Sequence, residues 1–489
     1  MVETSEDWIV EAVWASQFSS GDFDRTDLVF GSGLRIRGGT VAFVSAGSGV
    51  DRLWYCLHEG HWHVANSLPA LLAVSGLSLR DDYPHYSRDM ESVEALGMRR
   101  YTRQVPTEST PITVLYFDNL VYDGRTVQEV RKPNLAPPFS TFECYFHFLT
   151  ATAEQLGENL MSPRRRHRIV PLVAISSGYD SGAAAVIARH AGCRRAATIK
   201  QSRSLWRGSD SGAEIARCLG LACQSYDRTT KNYRREETIW AGAGLAGGLN
   251  LTMFDYPGPL SLFFSGSYGD KVWDRSRHDL TEPLGDRDHL LGEFRLIEGM
   301  FQCVVPWWGI GRAQEINDLG SRQEMAPWTL HTRYDRPVAR RILEEAGVPR
   351  RAFGVRKKDT ASNAEFLWPF SRDAQRRFAK YLRDRGFRAP APWLVAAIRR
   401  AAQWESLLHL NLLSKLGLRR RFRPWQRFAG VRMLFQWANH ELKEVYQAGL
   451  AESGAAAADA PADDEFAESA ALAAQALAPR ETVRSLPEA

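Results

Sequence analysis

An alternation of short apolar runs with small-residue helical segments, beginning at residue 169, constrains the fold more than any other feature of the sequence. The run IVPLVAI at 169–175 has the length of a buried strand, and GAAAVIARHAG at 182–192 is typical of a helix that stops at glycine. Two more strand-like runs, at 195–200 and 222–227, flank a second helical segment, and LSLFFSG at 260–266 is a further apolar run. Buried strands that alternate with helices predict a parallel α/β sheet covered on both faces.

The residues before this alternating region have a different sequence pattern. Residues 1–137 are rich in alternating β-branched and aromatic residues, and Glu59-Gly60 and Asp123-Gly124 are typical hairpin turns. Three prolines around Asn134, namely Pro133, Pro137 and Pro138, mark a boundary, and from about residue 283 the pattern predicts mostly helices. The sequence therefore predicts an α+β domain over 1–137, an α/β domain with a helical end over 138–450, and a disordered acidic, alanine-rich tail over 451–489.

Composition and charge narrow the function classes. The chain has 489 residues, 44% apolar and 24% charged, with a net charge of +5. The tail over 451–489 carries a net charge of −6, which leaves +11 for the first 450 residues. None of the six cysteines forms a CxxC pair, and no apolar run is long enough to span a bilayer. The N-terminus is acidic, unlike a signal peptide, so we expect a cytoplasmic protein with reduced thiols and no membrane partner.

The segment with the most specific chemistry is SSGYDS, at 176–181, between the first strand and the first helix of the alternating region. Hydroxyl and backbone N–H groups at a helix N-terminus favour a bound phosphate, and small side chains let the phosphate approach the backbone. Asp180 could hold a magnesium ion. The same spacing also fits a plain strand–helix turn with a serine N-cap, and spacing alone does not separate the two interpretations.

This segment resembles the SGGxDS pyrophosphate loop of the ATP-pyrophosphatase superfamily, and in particular the synthetase domain of asparagine synthetase-like enzymes. The resemblance extends over roughly 140–370 and implies a parallel-sheet, adenine-nucleotide α-hydrolase-like domain. Three later segments stand in the family's order: SDSGAEIARCLGLACQSYD at 209–227, FFSGSYGDKVWD at 263–274 and VPRRAFGVRKKD at 348–359.

The resemblance implies a site for ATP and Mg²⁺, with Asp180 and Asp270 as magnesium ligands. Lys357 or Lys358 would neutralise charge as pyrophosphate leaves; counting from Pro349 favours Lys357, whereas the R-x-K pattern favours Lys358. The residues implied to contact the nucleotide are Ser176, Ser177, Gly178, Asp180, Ser181, Thr198, Ile199, Ser265 and Gly266.

The sequence departs from the family pattern at three positions. Ser177 replaces the first glycine of the loop, Ser267 stands where the family has glutamate, and Lys271 replaces the glutamate that follows the second aspartate. Without these carboxylates, a different group would have to act as the general base. The departures are therefore compatible with a different amine nucleophile or with lost activity.

The N-terminal region resembles part of the glutaminase domain of the same enzymes through LWYCLHEGHWHVANSLPALLA at 53–73. This resemblance implies a degenerate, four-layer Ntn-hydrolase-like sandwich. The family's nucleophile is an N-terminal cysteine, but this sequence begins Met1-Val2, and its nearest cysteine, Cys56, lies inside an apolar run. Because a thiol nucleophile needs a thiolate beside a base, we expect no glutamine hydrolysis.

Together these features predict an ATP-dependent, AMP-forming carboxylate–amine ligase without glutaminase activity. Its substrates would be a small-molecule or peptide carboxylate and ammonia or another amine, and a homodimer is a possible assembly. A non-catalytic nucleotide-binding homologue and a tRNA-modifying ATP pyrophosphatase remain as alternatives, the second because of the basic body.

Three weaker features favour ordinary structural roles. The histidine-rich stretch is better explained as a surface hairpin than as a metal site, and the tryptophan pair as core rather than base stacking. The segment 334–337 is better explained as a helix start than as a site. The residues concerned are His58, Glu59, His61 and His63 for the first, Trp307 and Trp308 for the second, and Tyr334, Asp335, Arg336 and Pro337 for the third.

Overall fold

The computed structural model describes residues 1–201, 208–275, 280, 285, 287–332, 334–354, 364–413, 416 and 423–457. Within these ranges the fold is mixed α/β. An N-terminal region of antiparallel sheets precedes a five-stranded parallel sheet that is surrounded by helices.

The antiparallel region contains ten strands and two helices. The strands are β1 (Glu3–Ser5), β2 (Trp8–Trp14), β3 (Val29–Arg37), β4 (Thr40–Val44), β5 (Arg52–His58), β6 (His61–Ala65), β7 (Gln104–Val105), β8 (Ile112–Tyr116), β9 (Asn119–Tyr122) and β10 (Val127–Val130), and the helices are α1 (Leu68–Ser75) and α2 (Tyr86–Leu96). The larger sheet has the order β1-β2-β3-β4-β9-β10, and the smaller has the order β6-β5-β8-β7.

The two antiparallel sheets share an apolar cluster that includes Leu53 and Leu115 of the smaller sheet and Leu120 of the larger sheet. Side chains alternate between the faces of a strand. Trp54 and Cys56 therefore point to the opposite face of the smaller sheet, where they pack with the apolar residues of α1 and α2. The predicted hairpin turns at Glu59-Gly60 and Asp123-Gly124 connect β5 to β6 and β9 to β10.

The parallel sheet confirms the alternation read from the sequence. Its strands are β11 (Ile169–Ala174), β12 (Arg195–Ile199), β13 (Ala222–Tyr226), β14 (Leu260–Ser265) and β15 (Met300–Val304), in the order β13-β12-β11-β14-β15 with every neighbouring pair parallel. Both faces of this sheet are buried. Val173 belongs to one apolar cluster and the adjacent Leu172 to another on the opposite face.

Eleven helices follow the antiparallel region in the described ranges. They are α3 (Phe142–Leu160), α4 (Tyr179–His190), α5 (Ala213–Cys218), α6 (Glu237–Trp240), α7 (Gly269–Val272), α8 (Gly292–Glu298), α9 (Ala313–Leu319), α10 (Pro337–Glu345), α11 (Arg372–Asp384), α12 (Pro392–Leu408) and α13 (Leu434–Ala457). Helices α3, α4 and α10 cover one face of the parallel sheet, and α11 and α13 contribute to the cluster on the other.

Two details differ from the sequence expectations. The helical pattern expected after residue 283 is interrupted by β15, because a short continuous apolar run does not by its periodicity distinguish a strand from a buried helix. Helix α13 continues to Ala457, so the start of the expected tail at residue 451 falls inside a helix, and 458–489 lies outside the described residues.

In the part of the chain that the structure describes, we find no helix with the length and apolar character needed to cross a bilayer.

Candidate functional site

The order of the parallel strands creates one natural place for a ligand. From β11 the chain adds β12 and β13 on one side, and then crosses to add β14 and β15 on the other. The loops after β11 and β14 therefore leave neighbouring parallel strands in opposite directions, and this topological switch point opens a crevice at the carboxyl edge of the sheet. The sequence motifs at 176–181 and 265–270 are these two loops.

The first loop is held by its own hydroxyl groups. Ser181 Oγ accepts a hydrogen bond from the backbone N–H of Ser176 at 3.0 Å, and the two serine Oγ atoms lie 2.8 Å apart. Ser176 Oγ also accepts from the backbone N–H of Gly178 at 3.2 Å. Gly178, the residue before α4, is extended, and because it is glycine it has no side chain to cap the helix. The first-turn N–H groups of α4 have no acceptor within the helix and carry the positive end of its dipole.

Ser177, the departure from the family glycine, has a structural partner. Its Oγ donates to Asp210 Oδ1 at 2.5 Å, and its backbone N–H donates to the carbonyl of Asp210 at 3.0 Å. Asp210 belongs to the segment that leads into α5 and is almost fully buried. Ser177 therefore connects the loop to the segment at 208–212. The serine gives the turn an additional hydrogen bond and does not disrupt it.

Two glycines let the second loop lie directly against the first. A Cβ atom on Gly266 would stand 2.4 Å from the backbone nitrogen of Ser181, and one on Gly269 would stand 2.5 Å from the carboxyl carbon of Asp180. No real Cβ atom makes such contacts, so both positions require glycine. Tyr268, between them, takes a left-handed φ of 71°. The loops after β11 and β14 are therefore in direct contact.

The polar residues of the second loop differ in whether their side chains have hydrogen-bond partners. Ser265 is 5% exposed, and its Oγ has no hydrogen-bond partner among the described residues. Ser267, in place of the family glutamate, donates to Asp288 Oδ2 at 2.8 Å. Asp270 follows Gly269, which abuts Asp180, and Lys271 Nζ lies 5.8 Å from the ring centre of Tyr268.

Asp180 forms an ion pair that the sequence analysis did not foresee. Arg336 Nη1 contacts Asp180 Oδ2, and Arg336 Nη2 lies 4.0 Å from Asp274 Oδ2. Burial lowers the pKa of Arg336 to about 10, so the guanidinium is charged at neutral pH. In the described part of the chain, the other oxygen of Asp180, Oδ1, is buried without a hydrogen-bond partner.

The two residues expected beside adenine have other contacts. Thr198, at the end of β12, is fully buried, and its Oγ1 accepts from the backbone N–H of Gly212 at 2.9 Å. Ile199 is 7% exposed and belongs to the apolar cluster on the second face of the parallel sheet. Both residues end a strand beside β11, but their side chains serve packing in this conformation.

The segment leading to the expected lysine is anchored on the first loop. The backbone N–H of Gly354 donates to the carbonyl of Ser177 at 2.8 Å, and Arg350 Nη2 donates to the hydroxyl of Tyr179 at 2.9 Å. A Cβ on Gly354 would overlap the ring of Tyr179, so this approach also depends on glycine. Lys357 and Lys358 lie outside the described residues.

The candidates in the antiparallel region lie elsewhere. Cys56 is 3% exposed beneath α1 and α2, and burial raises the pKa of its thiol to about 11. His58 and His61 face each other across the β5–β6 hairpin, and His58 Nδ1 lies 3.0 Å from Thr110 Oγ1. Trp307 and Trp308 are buried in the core, as expected.

Within the described ranges, no group of three or more His, Cys, Asp or Glu side chains is arranged to hold a metal ion. Asp180 and Asp270 therefore offer at most part of a coordination shell. Mg²⁺ accepts such an arrangement, because it usually keeps several waters and takes one or two carboxylates together with substrate phosphates.

Sequence reasoning missed two residues of this site. Asp210 was interpreted as part of a helix start, and Arg336 as the residue before the next helix, which it also is. No local spacing signals that either side chain reaches the loop after β11. A cavity of about 470 Å³ is lined by residues of β12 and β13 together with Asp255 and Pro257. None of the residues expected to contact the nucleotide lines this cavity.

In comparisons with known proteins, no family model matches the chain, and no curated protein matches it.

Proposed function

We propose that the protein is an ATP-dependent, AMP-forming carboxylate–amine ligase of the asparagine synthetase type. The observation that carries the proposal is the convergence of the loops after β11 and β14 at the switch point of a parallel sheet. We assign the parallel sheet to the adenine-nucleotide α-hydrolase-like architecture and the two antiparallel sheets to a degenerate Ntn-hydrolase-like sandwich.

The residues present fit a magnesium-bound nucleotide. Gly266 and Gly269 place no side chain over the loop at 176–181, and the buried Oγ of Ser265 is without a partner among the described residues. Asp180 has an oxygen free of hydrogen bonds in the described part of the chain, as a magnesium ligand would need. Magnesium, when bound, would neutralise charge on the phosphates.

The proposed reaction has two steps. A carboxylate oxygen of the substrate bonds to the α-phosphorus of ATP, the α–β anhydride bond breaks, and pyrophosphate leaves. An amine nitrogen then bonds to the acyl carbon, AMP leaves, and the amine loses a proton. The chain's part is to hold the phosphates against the N-terminus of α4 and to supply positive charge as pyrophosphate departs, with Lys357 or Lys358 as the candidate source.

The amine in this proposal is not generated from glutamine at Cys56. A thiol with a pKa of about 11, packed beneath two helices, is neither ionised nor accessible at neutral pH. We therefore propose free ammonia or an external amine as nucleophile, in a cytoplasmic enzyme that takes a small-molecule or peptide carboxylate.

One observation favours a second candidate function, a nucleotide-binding protein without catalysis. The contact between Arg336 and Asp180 places a cation on the carboxylate that the reaction would assign to magnesium, and Ser267 is hydrogen bonded to Asp288 rather than free for proton transfer. Such a protein would bind ATP and release no AMP.

Pyrophosphate exchange and AMP release test the proposal. The assay combines ATP, Mg²⁺, ammonium and a panel of carboxylates, with Asp180→Ala as the control variant. We expect a carboxylate-dependent signal that falls at least about 100-fold in the variant, because a site that stabilises developing charge loses that much with one group. Silence with ATP still bound would favour the non-catalytic function, and absence of ATP binding would remove the nucleotide site altogether.

A further inference from the structure

Arg336 is a buried cation placed against the proposed nucleotide site. It is 2% exposed, its Nη1 contacts Asp180 Oδ2, and its guanidinium carbon lies 5.3 Å from the ring centre of Tyr334. Its Nε is buried without a hydrogen-bond partner in the described ranges. The planar guanidinium therefore makes fewer contacts than its five donors allow.

The backbone of Arg336 is fixed by the helix that follows it. Pro337 begins α10, and the backbone carbonyl of Arg336 accepts from the N–H of Arg340 at 2.9 Å. Helix α10 packs along α4, with Leu343 against Gly182. The side chain of Arg336 thus extends from a helix N-terminus toward the first turn of α4.

The Asp180–Arg336 pair conflicts with a magnesium ion on the same carboxylate. Two cations on one carboxylate repel each other strongly in a partly buried place. A triphosphate brings the negative charge that both cations can share, and the guanidinium fork matches phosphate oxygens as well as it matches a carboxylate.

We propose that Arg336 is a phosphate ligand of the bound nucleotide and that it exchanges partners when the nucleotide enters. In the free chain Arg336 neutralises Asp180. In the complex Arg336 turns to a phosphate oxygen, and Asp180 is released to the cation. This inference rests on the proposed nucleotide site and adds to it a residue from outside the sequence motifs.

The exchange predicts effects of opposite sign on two ligands. Arg336→Met keeps the side-chain volume and removes the charge. We expect it to bind ATP about 10- to 100-fold more weakly, the range for one charge-assisted hydrogen bond. We expect Mn²⁺ alone, used as a spectroscopic probe for Mg²⁺, to bind several-fold more tightly, because Asp180 has lost its competing cation. Equilibrium dialysis with ATP and electron paramagnetic resonance with Mn²⁺ measure the two affinities.

Arg340→Met is the matched control. Arg340 lies one turn further along α10, and its Nε donates to Glu344 Oε1 at 2.7 Å. We expect both affinities to stay within about twofold of the unaltered protein, since this partly buried i,i+4 pair lies within α10 itself and such helix pairs contribute little.

The outcomes separate this inference from the proposed function. If the unaltered protein binds no ATP, both fail. If it binds ATP and Arg336→Met binds ATP equally well, the partner exchange is wrong and the nucleotide site stands. If Arg336→Met weakens ATP and Mn²⁺ together, Arg336 is only a structural support, and the exchange is also wrong.

A second pair of variants keeps the test decisive if Arg336→Met does not fold because Asp180 is left charged, partly buried and without its cation. Asp180→Asn and the double variant Asp180→Asn/Arg336→Met both lack that charge. With ATP in the absence of divalent cations, we expect the double variant to bind at least about 10-fold more weakly than Asp180→Asn. Equal affinities would show that Arg336 acts only through Asp180 and would overturn the inference.

Discussion

The two halves of the molecule place their reactive side chains at different points of their strands. In the parallel sheet, the motif residues follow the carboxyl ends of β11 and β14, which open at one edge. In the antiparallel region, Cys56 lies within β5, and its alternation places it under two helices. Parallel strands gather loops from distant parts of the sequence at one edge, whereas hairpins divide theirs between two ends. Position relative to strand ends therefore decides which polar residues are available to a ligand.

The seam between the halves includes buried ionisable groups as well as apolar side chains. Arg295, 1% exposed, bonds to Asp51 Oδ1 at 2.6 Å and to the carbonyl of Val50 at 2.5 Å. Glu293 accepts from the hydroxyl of Ser67 at 2.9 Å, and that hydroxyl also caps α1. Bonds to buried charges are among the stronger ones in proteins, so we expect the halves to keep a fixed relation while the site loops respond to ligands.

The largest effect is expected where the two site loops touch. Gly266→Ala places a methyl group within 2.4 Å of the backbone of Ser181, and the loops must separate to accommodate it. We expect unfolding free energy to fall by about 2–3 kcal/mol, as overpacking does, and ATP affinity to fall at least about 100-fold. Denaturant unfolding and equilibrium dialysis measure the two quantities.

Gly292→Ala is the control for this prediction. Gly292 opens α8, and a Cβ there meets only Arg295 Nη2, at 4.0 Å. We expect stability to stay the same or rise by about 0.5–1 kcal/mol, because alanine restricts the unfolded chain more than glycine does. If Gly266→Ala behaves like Gly292→Ala, the close approach of the two loops is wrong, and so is the comparison built on it.

A smaller effect is expected at the seam, as a dependence of stability on pH. Burial raises the pKa of Glu293 from about 4.5 to about 7, against the opposing hydrogen bond from Ser67 and the charge of Arg52. The folded chain then binds more protons than the unfolded chain between pH 4.5 and 7, so the stabilising contribution is lost as the pH rises through 7. We expect Glu293→Gln to gain up to about 3 kcal/mol relative to the unaltered protein across that window.

Glu315 provides a control of opposite sign. The N–H of Phe139 donates to its carboxylate and lowers its pKa. Its contribution is present above pH 4.5 and lost as the pH falls below that value, so Glu315→Gln should lose stability at neutral pH instead of gaining it. Chemical unfolding at several pH values compares the two variants. A parallel response of both would contradict the assignment of Glu293 as a buried acid.

Local patterns were sufficient for four of the five parallel strands, β11 to β14, and for the loops that follow β11 and β14. The apolar run before Ser176 and the small residues after Ser181 predicted a strand, a turn and a helix, and the structure contains all three. The motif at 263–274 was also placed correctly at a strand end. These features depend on residues within one or two turns of each other, so a single sequence contains the information.

Contacts between distant segments could not be predicted in the same way. Arg336 lies 156 positions after Asp180, and its approach depends on how α10 packs along α4. Asp210 reaches Ser177 only because β12 pairs beside β11. The strand β15 was missed because MFQCV has no distinguishing period. The partners of the motif residues are properties of the packed sheet, and no spacing rule contains them.

The smallest effect on activity is expected from substitution of Cys56. An unchanged activity in that variant would support the contrast between the halves. Cys144 is exposed at the start of α3, and hydrogen bonds with Thr141 and Ser140 lower its pKa, whereas burial raises that of Cys56. We expect iodoacetamide at pH 7.5 to modify Cys144 at least about 10-fold faster than Cys56, because the thiolate is the reacting species. Cys56→Ala should change ammonia-dependent turnover by less than about twofold, at a stability cost of about 1 kcal/mol for the small void. Release of glutamate from glutamine that disappears in Cys56→Ala would show that a residue inside a strand of the antiparallel region is available for chemistry, and would break the rule that separates the two halves.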